Sequence, residues 1–262
     1  PIAMDYSLDF VKAKYPPYGS FKVTACSKIN RSTVEGFYLN EQAKIKWIQN
    51  LHKNSILIDI GAKTGIDTLL ASLYHVKKVI SFEPDIENYN ILLNNVELNS
   101  LGDKVDTLPL AISTRFANSI SSLCSIKDQS SGSHQEADQN QNLKLKDISV
   151  NTKNSSVYCV SLSSLVLSAY KKYSSSPIHV KLDVDGSEED VLQSLFDYQA
   201  LNYIDSMQVR LNPESIQHSN IIKRLQSHGF SYLIAQASSA TIAMGKNKNF
   251  VDYIFRRYAT NE

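Results

Sequence analysis

Two rhythms of apolar residues alternate along most of this chain. Short, nearly continuous apolar runs are followed by stretches in which apolar residues return every three or four positions. The first rhythm marks strands buried on both faces of a sheet, and the second marks amphipathic helices. Residues 21–25 alternate apolar and polar and predict a short strand. From Asn40, a candidate cap, Ile45, Ile48 and Leu51 recur on one helical face, with Ala43 and Trp47 close to it. Residues 56–60 form the first core strand. Residues 64–74 form a helix, with Leu69, Leu70, Leu73 and Val76 on the inward side. A strand over 79–82, a helix over 87–100 and a third core strand over 105–112 follow. The second half repeats the rhythm with a helix through Leu162, Leu165, Val166 and Ala169, then a strand over 178–184. A helix over 188–198, a strand over 204–211 and a helix over 216–228 stopped by Gly229 come next. The runs at 230–235 and 250–255 read as a terminal antiparallel pair. Such alternation predicts an α/β fold: a mostly parallel sheet with helices on both faces and a C-terminal antiparallel hairpin.

The rhythm fails in two places. Residues 1–40 carry a turn-rich break at Tyr15-Pro16-Pro17-Tyr18-Gly19 and read as an N-terminal extension or cap on the domain of residues 41–262. Residues 113–156 are dominated by Ser, Gln, Asn, Asp and Lys, and read as a polar insertion or long loop without a core of its own. A net charge of +1 gives no electrostatic reason to expect a nucleic-acid partner. No apolar run is long enough to span a bilayer, and residues 1–10 lack the basic and apolar regions of a secretion signal. Cys26, Cys124 and Cys159 share no metal-ligand or redox spacing, so reduced thiols and a cytoplasmic location are expected. Oligomeric state is not readable.

The candidate chemistry begins at the end of the first core strand. Asp59-Ile60-Gly61-Ala62-Lys63-Thr64-Gly65 is a glycine turn before a helix. It lacks the middle glycine of a dinucleotide turn, and Lys63-Thr64 precedes Gly65 where a P-loop has the reverse order. A nicotinamide dehydrogenase therefore fails on spacing. Glu83 ends the next strand in Phe82-Glu83-Pro84, 24 residues after Asp59. A carboxylate there can accept both hydroxyl protons of a ribose. Two acidic strand ends suit a ligand that joins a ribose to an ammonium or sulfonium group.

The turn resembles motif I of class I S-adenosylmethionine-dependent methyltransferases. Ile58-Asp59-Ile60-Gly61-Ala62, Phe82-Glu83-Pro84, Asn88-Tyr89, Asn94-Asn95, Leu98-Asn99, Val160-Ser161-Leu162 and the block from Lys181 to Glu188 together are similar to the FkbM-type members. The resemblance implies a Rossmann-like, seven-stranded sheet, S-adenosylmethionine as cofactor, and methyl transfer to an oxygen of a sugar or secondary metabolite. It places the cofactor on Asp59, Gly61, Ala62, Lys63, Thr64, Gly65, Phe82, Glu83, Pro84, Ala111, Ile112 and Asp183. Where the family usually has Asn, this chain has Lys63, a cation that must point to solvent or pair with Asp67 or Glu83. No carboxylate follows Ala111-Ile112 to accept the adenine amino group, which leaves main-chain or Ser113 contacts for that end.

Asp183 and Asp185 alternate to one side of their strand. One would hold the methionine end, and the other, or Glu188, would take the proton of a substrate hydroxyl. Glu188 can equally be a helix-capping residue, His179 is a base candidate or a structural strand histidine, and Lys181 would neutralise the aspartates. A Mg²⁺ site on Asp183 or Asp185 with Asn212 and Glu214 is conceivable, but metal binding is not part of the expected site. Two functions fit: an O-methyltransferase acting on a small-molecule or glycan acceptor, and a non-catalytic module of the same fold that binds a nucleoside or a biosynthetic partner.

Overall fold

The computed structural model describes residues 4–6, 10–15, 19–24, 37, 41–113, 122–127, 134–136, 154–184, 187–237 and 251–258. In chain order the elements begin with β1 (Met4–Tyr6), β2 (Phe10–Tyr15), β3 (Gly19–Thr24) and α1 (Gln42–Gln49). Then come β4 (Ile56–Ile60), α2 (Ile66–Leu73), β5 (Lys78–Phe82), α3 (Ile86–Leu98) and β6 (Val105–Leu108). β7 (Ala111–Ile112), β8 (Ser122–Lys127), β9 (His134–Glu136), β10 (Asn154–Val160) and α4 (Leu162–Lys172) lead to β11 (Ile178–Leu182). The chain closes with α5 (Glu188–Asp197), β12 (Ser206–Leu211), α6 (His218–Ser227), β13 (Phe230–Ala237) and β14 (Val251–Arg257).

The main sheet has seven strands in the order β13-β14-β12-β11-β4-β5-β6, and β14 alone runs against the others. From β4 the chain winds outward through β5 and β6, then returns to build β11 and β12 on the other side. The reversal puts a crevice outside the C-terminal ends of β4 and β11, the position at which doubly wound sheets bind ligands. All five residues of β4 and of β11 are buried. Ile56, Ile58 and Ile60 face a core shared with α4, α5 and α6, while Leu57 faces one shared with α1, α2 and α3. This alternation sends Asp59 to the α1–α3 side.

Most strand and helix expectations hold within a residue or two; the differences are physical. The third core strand, expected over 105–112, divides at Pro109: β6 stays in the main sheet, and β7 pairs with β10 in a second one. Proline offers no N–H to continue a ladder. The segment expected to be a polar loop contributes β8 and β9, so the second sheet runs β7-β10-β8-β9; most of residues 113–156 lie outside the described residues. Glu41, rather than Asn40, occupies the cap position of α1, and Asn40 lies outside the described residues. β1, β2 and β3 form a three-stranded sheet whose β2 and β3 bury Val11, Ala13, Phe21 and Val23 against α2 and α3. Its edge is docked by Asn95 of α3 and by Asn99, the helix's C-cap. Asn99 Oδ1 accepts the N–H of Lys22 at 2.7 Å, and Asn95 Oδ1 accepts that of Thr24 at 2.7 Å. Cys159 is disulfide-bonded, which overturns the expectation of three reduced thiols and removes the support they gave to a cytoplasmic location. Among the described residues no helix is long and apolar enough to cross a membrane.

Candidate active site

The turn between β4 and α2 is held on every side. Gly61 adopts φ 71°, and a Cβ there would lie 2.0 Å from the carbonyl oxygen of Asp183 at the end of β11. Gly65, at φ 88°, is the left-handed cap of α2, and a Cβ there would meet Leu92 Cδ1 at 2.4 Å. Both positions need glycine, one for its neighbour's backbone and one for helix packing. Most of the turn's N–H groups are engaged within the protein: those of Gly61 and Ala62 donate to the Phe82 carbonyl at 3.0 Å, and that of Gly65 to the Ala62 carbonyl at 2.8 Å. The N–H of Lys63 donates to Glu83 Oε2 at 2.8 Å. A phosphate cradle requires such groups pointing outward, so the geometry agrees with the spacing argument against pyrophosphate. Asn95, fully buried, donates to the Thr64 carbonyl at 2.7 Å and so links the turn to β3.

Glu83 is buried at the end of β5. Its Oε1 accepts the N–H of Asp85 at 2.9 Å, and each oxygen keeps a lone pair for a further donor. Burial raises its pKa, and the two N–H bonds only partly offset that. Asp59 stands differently. It pairs in register with Lys181 across β4 and β11, and with Ser81 across β4 and β5. Its Oδ1 lies 3.0 Å from Lys181 Nζ, and its Oδ2 accepts the Thr68 hydroxyl at 2.6 Å. The expected ligand-facing Asp59 is thus a fully buried residue directed into the fold. Lys181 Nζ also donates to the Gly61 carbonyl at 2.7 Å and lies 3.6 Å from Asp67.

The family model of the methyltransferase FkbM domain matches residues 59–232, a span that contains the turn, Glu83, Asp183 and Arg210. The chain belongs to the FkbM methyltransferase family. No curated protein gives a significant sequence match. Among solved structures, M. jannaschii TYW2 in complex with AdoMet is similar at 13% identity and TM-score 0.45, covering 97% of this chain and 90% of that one. A protein of the NADB-Rossmann superfamily from Streptococcus agalactiae is similar at 12% identity and TM-score 0.45, covering 84% and 69%. The ribosomal protein L11 methylase of Lactobacillus delbrueckii subsp. bulgaricus is similar at 12% identity and TM-score 0.41, covering 85% and 80%. The fold assignment rests on the strand order and the domain match.

Within the FkbM domain, Asp183 is held between two cations. Arg210 Nη1 donates to its Oδ2 at 2.8 Å, and Lys63 Nζ lies 3.4 Å from Oδ1 and 3.5 Å from Oδ2. Burial would raise the Asp183 pKa, but Arg210 first, then Lys63 and Lys181, outweigh it and hold the carboxyl well below the usual range. A carboxylate held this low is a permanent anion and a poor proton acceptor. Lys63 therefore pairs with neither Asp67 nor Glu83 as expected: its side chain goes to Asp183 and its backbone to Glu83. Asp67 is met instead by Lys44 at 3.0 Å. Lys181 does not serve chiefly to neutralise Asp183, because strand register gives it to Asp59.

Other expected residues scatter. Asp185 lies outside the described residues. Glu188 is buried in the first turn of α5. Phe82 is core, and Pro84 is half-buried beside Glu83. Ala111 and Ile112 are fully buried partners of β10, and the Ser113 hydroxyl donates to Asp190 at 2.8 Å instead of standing ready for an adenine. His179 stacks on His52 at 5.3 Å between ring centres and bonds Ser206 Oγ at 2.8 Å. Burial, with His52 beside it, pushes its pKa down to about 3, so it is a structural histidine. Asn212 Oδ1 accepts the N–H of Glu214 at 3.0 Å, and among the described residues no group of three or more His, Cys, Asp or Glu is placed to hold a metal ion.

Sequence reasoning missed Arg210, Glu41 and Asp252. Arg210 and Asp252 are cross-strand partners on β12 and β14, and the guanidinium also takes both oxygens of Glu41 at 3.0 Å. Burial pushes Glu41 up to about 7, with Lys44 and Arg210 opposing and Asp252, its hydrogen-bond partner, adding to the rise. Between its ordinary 4.5 and about 7 the folded chain thus binds more protons at Glu41 than the unfolded chain does. The Glu41 contribution to stability is complete below the lower value, falls as pH rises, and is gone above the higher one. His179, kept neutral in the fold, contributes the opposite slope up to its ordinary 6.5, so the test is a difference: in urea unfolding, Glu41→Gln should gain stability relative to the parent as pH rises through the interval.

Proposed function

We infer that the chain is an S-adenosylmethionine-dependent methyltransferase acting on an oxygen of a sugar, glycan or small secondary metabolite. The observation that carries this reading is Glu83: a buried acid at the end of β5 with a free lone pair on each oxygen, beside a turn in which the N–H groups of Gly61, Ala62, Lys63 and Gly65 are engaged. That combination fits ribose hydroxyls and disfavours a pyrophosphate. The donor set also fits a cation. Asp59, Asp67, Asp183, Asp252, Glu41 and Glu83 are buried near the crevice, against buried Lys44 and Lys181, partly buried Arg210 and half-exposed Lys63.

When bound, S-adenosylmethionine supplies a methyl group on a positively charged sulfur. Glu83 would grip its ribose, Gly61 would permit close approach over the β4 end, and Asp183, kept ionised by Arg210, would hold its ammonium group. Most of the rate enhancement would come from aligning the acceptor oxygen in line with the methyl group. Since Asp183 is a poor base, Glu188 or Asp185 would accept the hydroxyl proton. The same low pKa of Asp183 favours the second reading, a non-catalytic nucleoside-binding module, and transfer of labelled methyl to a panel of sugars and glycans separates the two.

Calorimetric titration tests the cofactor directly. S-adenosylmethionine should bind with sub-millimolar affinity and NAD should not. Glu83→Ala should weaken the methyl donor by about 1 to 3 kcal/mol, the range for charge-assisted hydrogen bonds. Absence of binding at millimolar donor overturns the reading.

A further inference from the structure

Lys63 occupies the middle of the glycine turn in a left-handed conformation, φ 52°. Its backbone is fixed toward β5 by the bond to Glu83, while its side chain crosses the crevice the other way to Asp183, beyond β11. The two halves of one residue thus span three neighbouring strands. Asp183 already has a closer and less exposed partner in Arg210, and Lys63 adds a second cation at longer range. The Lys63 side chain is 45% exposed and that of Asp183 only 4%. A half-exposed pair of this length contributes little to folding. What it does create is a positive group and a negative group side by side at the mouth of the crevice.

An α-amino acid carries the complementary arrangement, an ammonium and a carboxylate on one carbon. Glu83 and Asp183 end strands on either side of β4, so they stand about 10 Å apart along the sheet edge, two strand spacings. A ligand lying along that edge with its ribose at Glu83 brings the far end of a short chain to Asp183 and Lys63. We propose that Lys63 receives the carboxylate of the cofactor's amino-acid end while Asp183 takes its ammonium. This rests on the S-adenosylmethionine reading above. It also accounts for a lysine beside a sulfonium site: with the carboxylate on Lys63, the cation is neutralised and no longer repels the sulfur.

The test uses three ligands against the full chain: S-adenosylmethionine, S-adenosylhomocysteine, and 5′-methylthioadenosine, which lacks the amino-acid end. Lys63→Asn removes the cation while keeping a residue that tolerates the left-handed turn. It should weaken S-adenosylmethionine and S-adenosylhomocysteine by a similar factor, about tenfold or more for a lost charged hydrogen bond, and leave methylthioadenosine within about twofold. Lys63→Arg should retain most of the affinity for all three. Unchanged methylthioadenosine binding shows that the fold and the ribose end are intact. Equal weakening of all three ligands makes Lys63 a structural residue and overturns the clamp. Tighter S-adenosylmethionine with unchanged S-adenosylhomocysteine overturns it too, by placing the lysine against the sulfonium. If the unaltered chain binds none of the three, the cofactor reading itself falls; if it binds S-adenosylhomocysteine no better than methylthioadenosine, the clamp alone does.

Discussion

Gly61→Ala should remove about 2 to 5 kcal/mol of folding stability, combining left-handed strain with overpacking of a closed contact. The added methyl would sit 2.0 Å from the Asp183 carbonyl oxygen. That atom belongs to backbone at the end of β11, whose neighbour β4 is bonded to it residue by residue. No side chain can swing aside. Relief requires the two central strands to part at their C-terminal ends, where the N–H of Asp183 also donates to the Ile60 carbonyl at 3.2 Å. Cofactor binding should be lost together with stability, because the same movement carries the turn away from Glu83. Urea unfolding measures the loss. Gly102→Ala is the control: nothing lies within 4 Å of its Cβ position, and its stability should stay within about 0.5 kcal/mol of the parent.

Much of this fold was legible because it is written in local rhythm. The buried strands β4 and β11 are continuous apolar runs, and α2, α3 and α5 carry their apolar residues at helical spacing. The hairpin β1–β2 was missed although Val11 and Ala13 alternate with Lys12 and Lys14, since the neighbouring prolines and tyrosines obscured a short pattern. The split at Pro109 is carried by one residue, but which sheet each half joins depends on β10, some fifty positions later.

The acids of the candidate site were legible by position and not by partner. Asp59, Glu83 and Asp183 each end or nearly end a strand, a fact the sequence displays. What each does depends on which strand lies beside it. Asp59 and Lys181 are 122 positions apart and become neighbours only through the β4–β11 register. Arg210 and Asp252 meet through β12 and β14, and Glu41 reaches them from before α1. Pairing of this kind is non-local, so alternation could assign Lys181 a face but not a counterion. Lys63 shows the same limit: its departure from the family pattern was visible, whereas its choice of Asp183 over Asp67 required knowing that Lys44 fills Asp67.

Removing the Lys181 charge should be as damaging as closing the Gly61 contact, for an electrostatic reason. Burial alone would lower the lysine's pKa, but Asp59, Asp67 and Asp183 more than offset it and hold the ammonium above its ordinary range. Lys181→Met keeps the volume and deletes the charge. It leaves Asp59 fully buried opposite an apolar chain and frees the Gly61 carbonyl from its 2.7 Å bond. Breaking a buried ion pair from one side costs about 3 to 5 kcal/mol, because the remaining charge is uncompensated. Lys44 cannot take over, since it is already committed to Asp67 and Glu41 at 3.0 and 3.5 Å. Adding Asp59→Asn should recover part of the loss: the amide is neutral, and its oxygen can still accept the Thr68 hydroxyl. A double-mutant cycle by urea unfolding reads this as a coupling between the two sites. If the two changes simply add, Lys181 stabilises the fold through packing and not through Asp59. If they couple but the double variant still binds S-adenosylmethionine poorly, the lysine's bond to the Gly61 carbonyl is what holds the turn in shape for the cofactor.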